Sequence, residues 1–98
     1  MNVEILDEAR LDIADGVAFY DRRSAEAGDY FFERIFYDIS SLEDTAGVHE
    51  THLGYHRKVA SRHPYLIYYR IVSDTAEVVA VLDGRGLPSG IESVLRNR

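Results

Sequence analysis

The sequence contains no cysteine and no tryptophan, and only one methionine and two prolines. Without thiols, neither a disulfide framework nor a thiolate metal site can form, which suits a reducing cytosol. No apolar run approaches the ~18 residues of a membrane span. No charged-then-apolar leader opens the chain. A soluble, cytoplasmic protein with no membrane partner is expected. Basic residues are the minority, 11 against 17 acidic, for a net charge of −6. That balance argues against a protein that coats nucleic acid, because phosphate neutralisation supplies most non-specific affinity. There is no internal repeat, low-complexity tract or linker. Gly-rich phosphate loops, nucleophile elbows and Cys/His pairs are also missing, so no enzyme announces itself and no cofactor is expected.

What is present fits one domain. Ninety-eight residues leave no room for a second, and an apolar fraction of 46% with 7 Tyr and 4 Phe is ample for a single core. A domain this small often welcomes a partner chain. The charge is unevenly placed. Acids crowd the first half, whereas residues 55–70 hold Arg57, Lys58, Arg62 and Arg70 and no acid. The basic half is therefore the expected working surface.

Val3-Glu4-Ile5-Leu6 reads as an edge strand, and Asp7 is placed to cap the helix that follows. From residue 8 to about 25, Ala9, Ile13, Val17 and Tyr20 recur at helical spacing, interrupted only by Gly16, which costs about 1 kcal/mol relative to Ala. Gly28-Asp29 punctuates the chain. A second helix is expected from about 30 to 42, with Phe31, Ile35, Ile39 and Leu42 as its stripe and Phe32 and Phe36 widening it. Two helices joined by a short break form an antiparallel hairpin that needs a flat surface to cover it.

The second half supplies that surface. After a polar connection over residues 43–53, the period changes from 3.6 to 2. Strands are expected over 55–60, 65–72 and 77–82, with a hairpin turn at Ser73-Asp74-Thr75-Ala76. Ser89 and Glu92 have capping-box spacing ahead of a short helix carrying Ile91, Val94 and Leu95. The order β-α-α-β-β-β plus a helical tail implies an α+β fold, two layers deep, with the helical hairpin on one face of an antiparallel sheet.

Four segments in this order resemble the RelE/ParE toxins of type II toxin–antitoxin systems, also called plasmid stabilisation proteins. They are Ala9-Arg10-Leu11-Asp12-Ile13 with Ala18-Phe19-Tyr20, then Gly28-Asp29-Tyr30-Phe31-Phe32 leading to Ile39-Ser40-Ser41-Leu42. The third is His63-Pro64-Tyr65-Leu66-Ile67-Tyr68-Tyr69-Arg70-Ile71, and the fourth Val79-Ala80-Val81-Leu82-Asp83-Gly84-Arg85 with Pro88 after it. The resemblance implies the fold just derived, a co-expressed antitoxin, and a homodimer or a heterotetramer with that antitoxin. It leaves two activities open. RelE-like members cut messenger RNA on the ribosome with a basic concave face, whereas ParE-like members poison DNA gyrase. Where RelE-like cleavers carry an arginine after the tyrosine of the third motif, this chain has Leu66. Arg85 matches a family arginine after the last strand, but the usual second arginine is Gly86, and no tyrosine or histidine follows. Arg57 and Lys58 are counterparts of the cleavers' remaining basic residues.

Cleavage by 2′-hydroxyl attack needs a proton acceptor, a donor to the leaving oxygen and cations for the phosphorane. Arginine, with a pKa above ~12, serves only the last of these roles. Arg85 is thus the one catalytic candidate, and its plain alternative is a loop arginine held by Asp83. Strand alternation puts Tyr65, Ile67, Tyr69 and Ile71 toward the helices, and Leu66, Tyr68, Arg70 and Val72 on an open face. Arg57, Lys58, Arg62, Tyr68, Arg70 and Arg85 form the expected target- or antitoxin-binding set; solvated or carboxylate-paired surface residues are the plain alternative. His49, His52 and His56 have a spacing that could gather zinc on a helix. Gly54 breaks that helix, so linker histidines and no metal are expected. The expected function is a ParE-like toxin whose open sheet face and Arg85 loop are covered by antitoxin. The rivals are an mRNA endoribonuclease acting at the ribosome and a decayed toxin that retains only antitoxin binding.

Overall fold

The computed structural model describes residues 1–98. The chain opens with strand β1 (Asn2–Ile5) and helix α1 (Asp7–Asp21), followed by α2 (Ala25–Ser40) and a single turn α3 (Leu42–Thr45). Four strands follow, β2 (Thr51–His52), β3 (Tyr55–Val59), β4 (Tyr65–Val72) and β5 (Thr75–Asp83), and α4 (Pro88–Arg96) ends the chain.

The helix starts differ from expectation in an instructive way. Asp7 does not cap α1. Leu6 is the capping position, and Asp7 and Glu8 lie in the first turn, where they meet the positive end of the helix dipole. The break between the helices falls at residues 22–24, and Ser24 caps α2 by accepting the Ala27 N–H at 3.1 Å. Gly28 is therefore inside α2 and not in the break. A Cβ there would fall 1.8 Å from Asp21 Oδ1 and 3.2 Å from the Val17 carbonyl, and one at Gly16 would meet the Phe31 ring at 2.5 Å. Both glycines let the two helices approach closely.

The five strands form one sheet in the order β1-β5-β4-β3-β2. β2 to β5 run antiparallel in a meander, but β1 pairs with β5 in parallel, Asn2 opposite Thr75 through Ile5 opposite Val78. The sheet is mixed, which corrects the antiparallel expectation. Helices carry the chain from β1 to the far edge, and the meander brings it back beside β1 running the same way. Within the polar connection, Leu53 and Gly54 both take positive φ (54° and 82°), closing a two-residue hairpin that pairs Thr51 with His56. The β4–β5 register slips between Tyr68 and Tyr69, so Val79 is the extra residue of a bulge.

The main core lies between the helical hairpin and the sheet. Ala9, Phe31, Ile35 and Ile39 pack on Tyr65, Ile67, Tyr69, Val78 and Val81. The opposite face is not open. α4 lies across it, burying Leu95 against Tyr68, Val79 and Ala80, with Ile91 and Leu66 alongside. The bulge explains why adjacent Val79 and Ala80 both join this second cluster. α4 starts with Leu87 as cap and Pro88 in its first turn. The capping box does not form, because Ser89 makes no side-chain cap and Glu92 lies 3.7 Å from Arg96.

Candidate functional site

The sheet separates the basic residues that the sequence groups together. Arg57 pairs opposite Tyr68, and Arg70 opposite Glu77, so these side chains share the α4 face. Lys58 pairs opposite Ile67 and belongs to the other face. Arg70 is tied to Glu77 at 2.8 Å, and that hydrogen bond raises its pKa. Tyr68 is 1% exposed beneath α4 and has no surface to offer a partner. This corrects its expected place on an open face, which α4 itself occupies. Arg62 is exposed in the β3–β4 loop.

Arg85 lies at the far end of the sheet, just past β5. Its Nε and Nη2 donate to the two oxygens of Asp83 at 3.0 and 2.8 Å, and its backbone N–H donates to Oδ1 at 2.9 Å. These bonds hold the Asp83 carboxyl below its ordinary pKa and push the Arg85 guanidinium higher still. Next to this pair is Phe19, with the guanidinium carbons of Arg22, Arg23 and Arg85 at 6.0, 5.6 and 5.9 Å from its ring. Arg22 and Arg23 follow α1 and were not legible as partners of Arg85. Burial pushes the nearby Tyr65 phenol up, and Asp83 adds to that shift.

The histidines do structural work in the edge hairpin. Tyr69 is fully buried, and its hydroxyl accepts the Gly47 N–H at 2.9 Å and bonds His49 Nδ1 at 2.5 Å. His56 stacks on the same ring and uses Nδ1 to donate to the His49 carbonyl at 2.8 Å. Burial lowers the His49 pKa, with Lys58 and His56 adding to it. His52 is exposed on β2.

Two further features escaped the sequence. Arg98 forms a fork to both oxygens of Asp12 at 2.7 and 2.8 Å and also donates to the Val79 carbonyl at 2.8 Å. Asp12 in turn accepts the Val81 N–H at 3.0 Å. The pair thus satisfies the backbone of β5 where β1 ends. Second, Phe32 and Phe36 do not widen the core stripe of α2. They are 43% and 53% exposed and stack on each other at 5.9 Å. With Ile5, Ile13, Val17 and Ile35 they line an apolar groove of about 410 Å³ between α1 and α2, with Arg10 and Asp21 also on its walls. The signal was available: an i, i+4 aromatic pair displaced from the buried Phe31–Ile35–Ile39 stripe marks a second face.

No protein of curated function shows a significant sequence match to the chain. Among solved structures, the chromosomal ParDE toxin–antitoxin system from P. aeruginosa superposes with a TM-score of 0.76 at 14% identity, covering 85% of this chain and 95% of that one. At that identity the likeness establishes the fold. The family model described as the ParE toxin of the type II toxin–antitoxin system parDE matches residues 3–88. That span takes in both helices of the hairpin, all of the sheet but Asn2, and the Arg85 loop, and on that basis the chain belongs to the ParE toxin family of type II toxin–antitoxin systems.

Proposed function

We propose that this ParE-family toxin acts by occupying a macromolecular partner, with DNA gyrase the target to test first, and that a cognate antitoxin holds it at rest through the groove on the helical hairpin. The groove carries this reading. Eight of its ten lining residues are hydrophobic, and two stacked phenylalanines stand half-exposed along it. An amphipathic helix laid into such a groove buries the exposed half of each ring, which contributes roughly 1 kcal/mol apiece. Charge sets the direction. Arg10 and Asp21 are roughly three helical turns apart on α1. An incoming helix matches them with its positive N-terminus near Asp21 and its C-terminus near Arg10.

The disposition of the arginines favours binding over cleavage. In-line attack requires proton acceptor, proton donor and cations around one phosphate. Here Arg57 and Arg70 lie in mid-sheet, Lys58 is on the opposite face, and Arg85 is bound to Asp83 at the sheet end. The test is induction of the toxin without its antitoxin, following growth, transcript integrity and plasmid supercoiling, with purified chain added to gyrase in parallel. Growth arrest with intact transcripts and lost supercoiling is the expected result. Fragmented transcripts would restore the ribosome-dependent nuclease. Unimpaired growth with soluble toxin would leave a domain that only binds antitoxin.

A further inference from the structure

Phe32 and Phe36 are a ridge rather than a rim. On one side lies the α1–α2 groove, and on the other a shallow hollow of about 400 Å³ that Glu33, Tyr37 and Ser40 complete. Acids gather where α1 ends and α2 begins. Asp21 lies on the α1 wall of the groove, and Glu33 is on the far flank of the ridge, with Asp29 one turn before it on the same face of α2. All three are exposed, and none forms an ion pair within the chain. Arg22 and Arg23, which follow α1, are directed instead at the rings of Phe19 and Tyr20. Arg10 lies toward the opposite end of α1, its Nε bonded to the Ile5 carbonyl at 3.1 Å.

The stability of the lone chain does not account for this placement. Acids aid a helix in its first turn, where Glu26 already sits, but Glu33 is roughly two turns into α2. Asp29 and Glu33 repel each other at i, i+4 spacing. The charge selects among occupants of the groove. A second copy of this chain would bring its own acids onto the stripe, and a polyphosphate would meet it with like charge. A neutral apolar helix would fill the groove but draw the carboxylates out of water without a partner. A helix with an apolar stripe and cations beside it satisfies both the rings and the acids. Lysine and arginine suit the ridge, because their stems lie along apolar rings while the charged heads reach a carboxylate.

We propose that the antitoxin segment seated in the groove is a cationic amphipathic helix, its apolar stripe between α1 and α2 and its lysines or arginines reaching over the Phe32–Phe36 ridge to Asp29 and Glu33. This rests on the groove as the antitoxin's seat and adds the charge of its occupant. The probes are two helical peptides of equal length with leucines at i, i+4 and i+7, one flanked by lysines and the other by glutamates. Calorimetry against the full chain measures affinity, and backbone amide shifts locate the contact. The lysine peptide is expected to bind roughly tenfold more tightly, with shifts on both walls of the groove, and to lose that advantage as salt is raised. In the Asp29→Lys, Glu33→Lys chain, altered only at exposed positions, the preference is expected to invert. In Glu50→Lys, Asp74→Lys, which changes the net charge equally but outside the hairpin, it is expected to persist. Equal affinities at the groove, or a preference unmoved by charge reversal on α2, would overturn the cationic occupant and leave the groove standing as a docking site. Failure of both peptides to bind, or shifts remote from the hairpin, would overturn the two readings together.

Discussion

At the scale of single residues, the histidines carry the clearest consequences. Burial lowers the pKa of both His49 and His63 below the ordinary value of 6.5. A base depressed in the folded state is protonated first in the unfolded chain. The unfolded state therefore binds more protons as pH falls below the ordinary histidine value, and stability is lost on acidification. Unfolding free energy measured by urea titration is expected to fall between about pH 7 and pH 5, before carboxylates titrate, with a shallower slope in His49→Gln. A flat profile over that interval would contradict the assignment. Leu53 offers a second test. It holds φ at 54° in the exposed β2–β3 turn, a conformation that costs a residue with a Cβ roughly 1–2 kcal/mol and that asparagine adopts more readily. Leu53→Asn is expected to raise the denaturation midpoint, by up to about 1 kcal/mol of stability. Neither residue could be read correctly from the chain. Linker histidines were expected, and the partner that His49 takes, the Tyr69 hydroxyl, lies 20 positions away.

At the scale of elements, periodicity reported what each segment was, but not how neighbours met. The change from period 3.6 to period 2 located the hairpin and the strands, and the alternation of β4 correctly sent Tyr65, Ile67 and Tyr69 to the helices. Glycine misled. Gly28 looks like punctuation because glycine favours turns, yet here it serves the contact between α1 and α2. Gly16 does the same against Phe31, which is fully buried and cannot swing away. Gly16→Ala therefore sets two effects against each other. Helix propensity gains about 1 kcal/mol, while overpacking a buried ring costs typically 1–3 kcal/mol. The overlap at 2.5 Å is severe, so net destabilisation of about 1–2 kcal/mol is expected in chemical denaturation. Net stabilisation would mean that the helices can separate freely. The direction of β1 was equally hidden, because alternation in four residues is the same whether a strand pairs parallel or antiparallel.

At the scale of the whole molecule, the arrangement of surfaces is what the sequence conceals most. The strand expected to present a binding face is roofed by α4, and the Arg98–Asp12 fork that helps close this side joins residues 86 positions apart. The proposed binding surface lies instead on the outside of the helical hairpin, where Phe32 and Phe36, expected in the core, stand exposed along an apolar groove. The basic residues that looked like one site divide between two sheet faces and one sheet end. A surface that binds, on a scaffold whose arginines are scattered, accounts for these features together. The most direct test places a charge in the groove. Phe36 is more than half exposed, so Phe36→Asp should fold as the parent does. Co-expressed with its antitoxin, the variant is expected to escape neutralisation and arrest growth, and calorimetry should show affinity weakened at least about a hundredfold, as expected when a carboxylate is buried in an apolar groove. Full neutralisation with unchanged affinity would contradict the assignment of the groove as the antitoxin's seat.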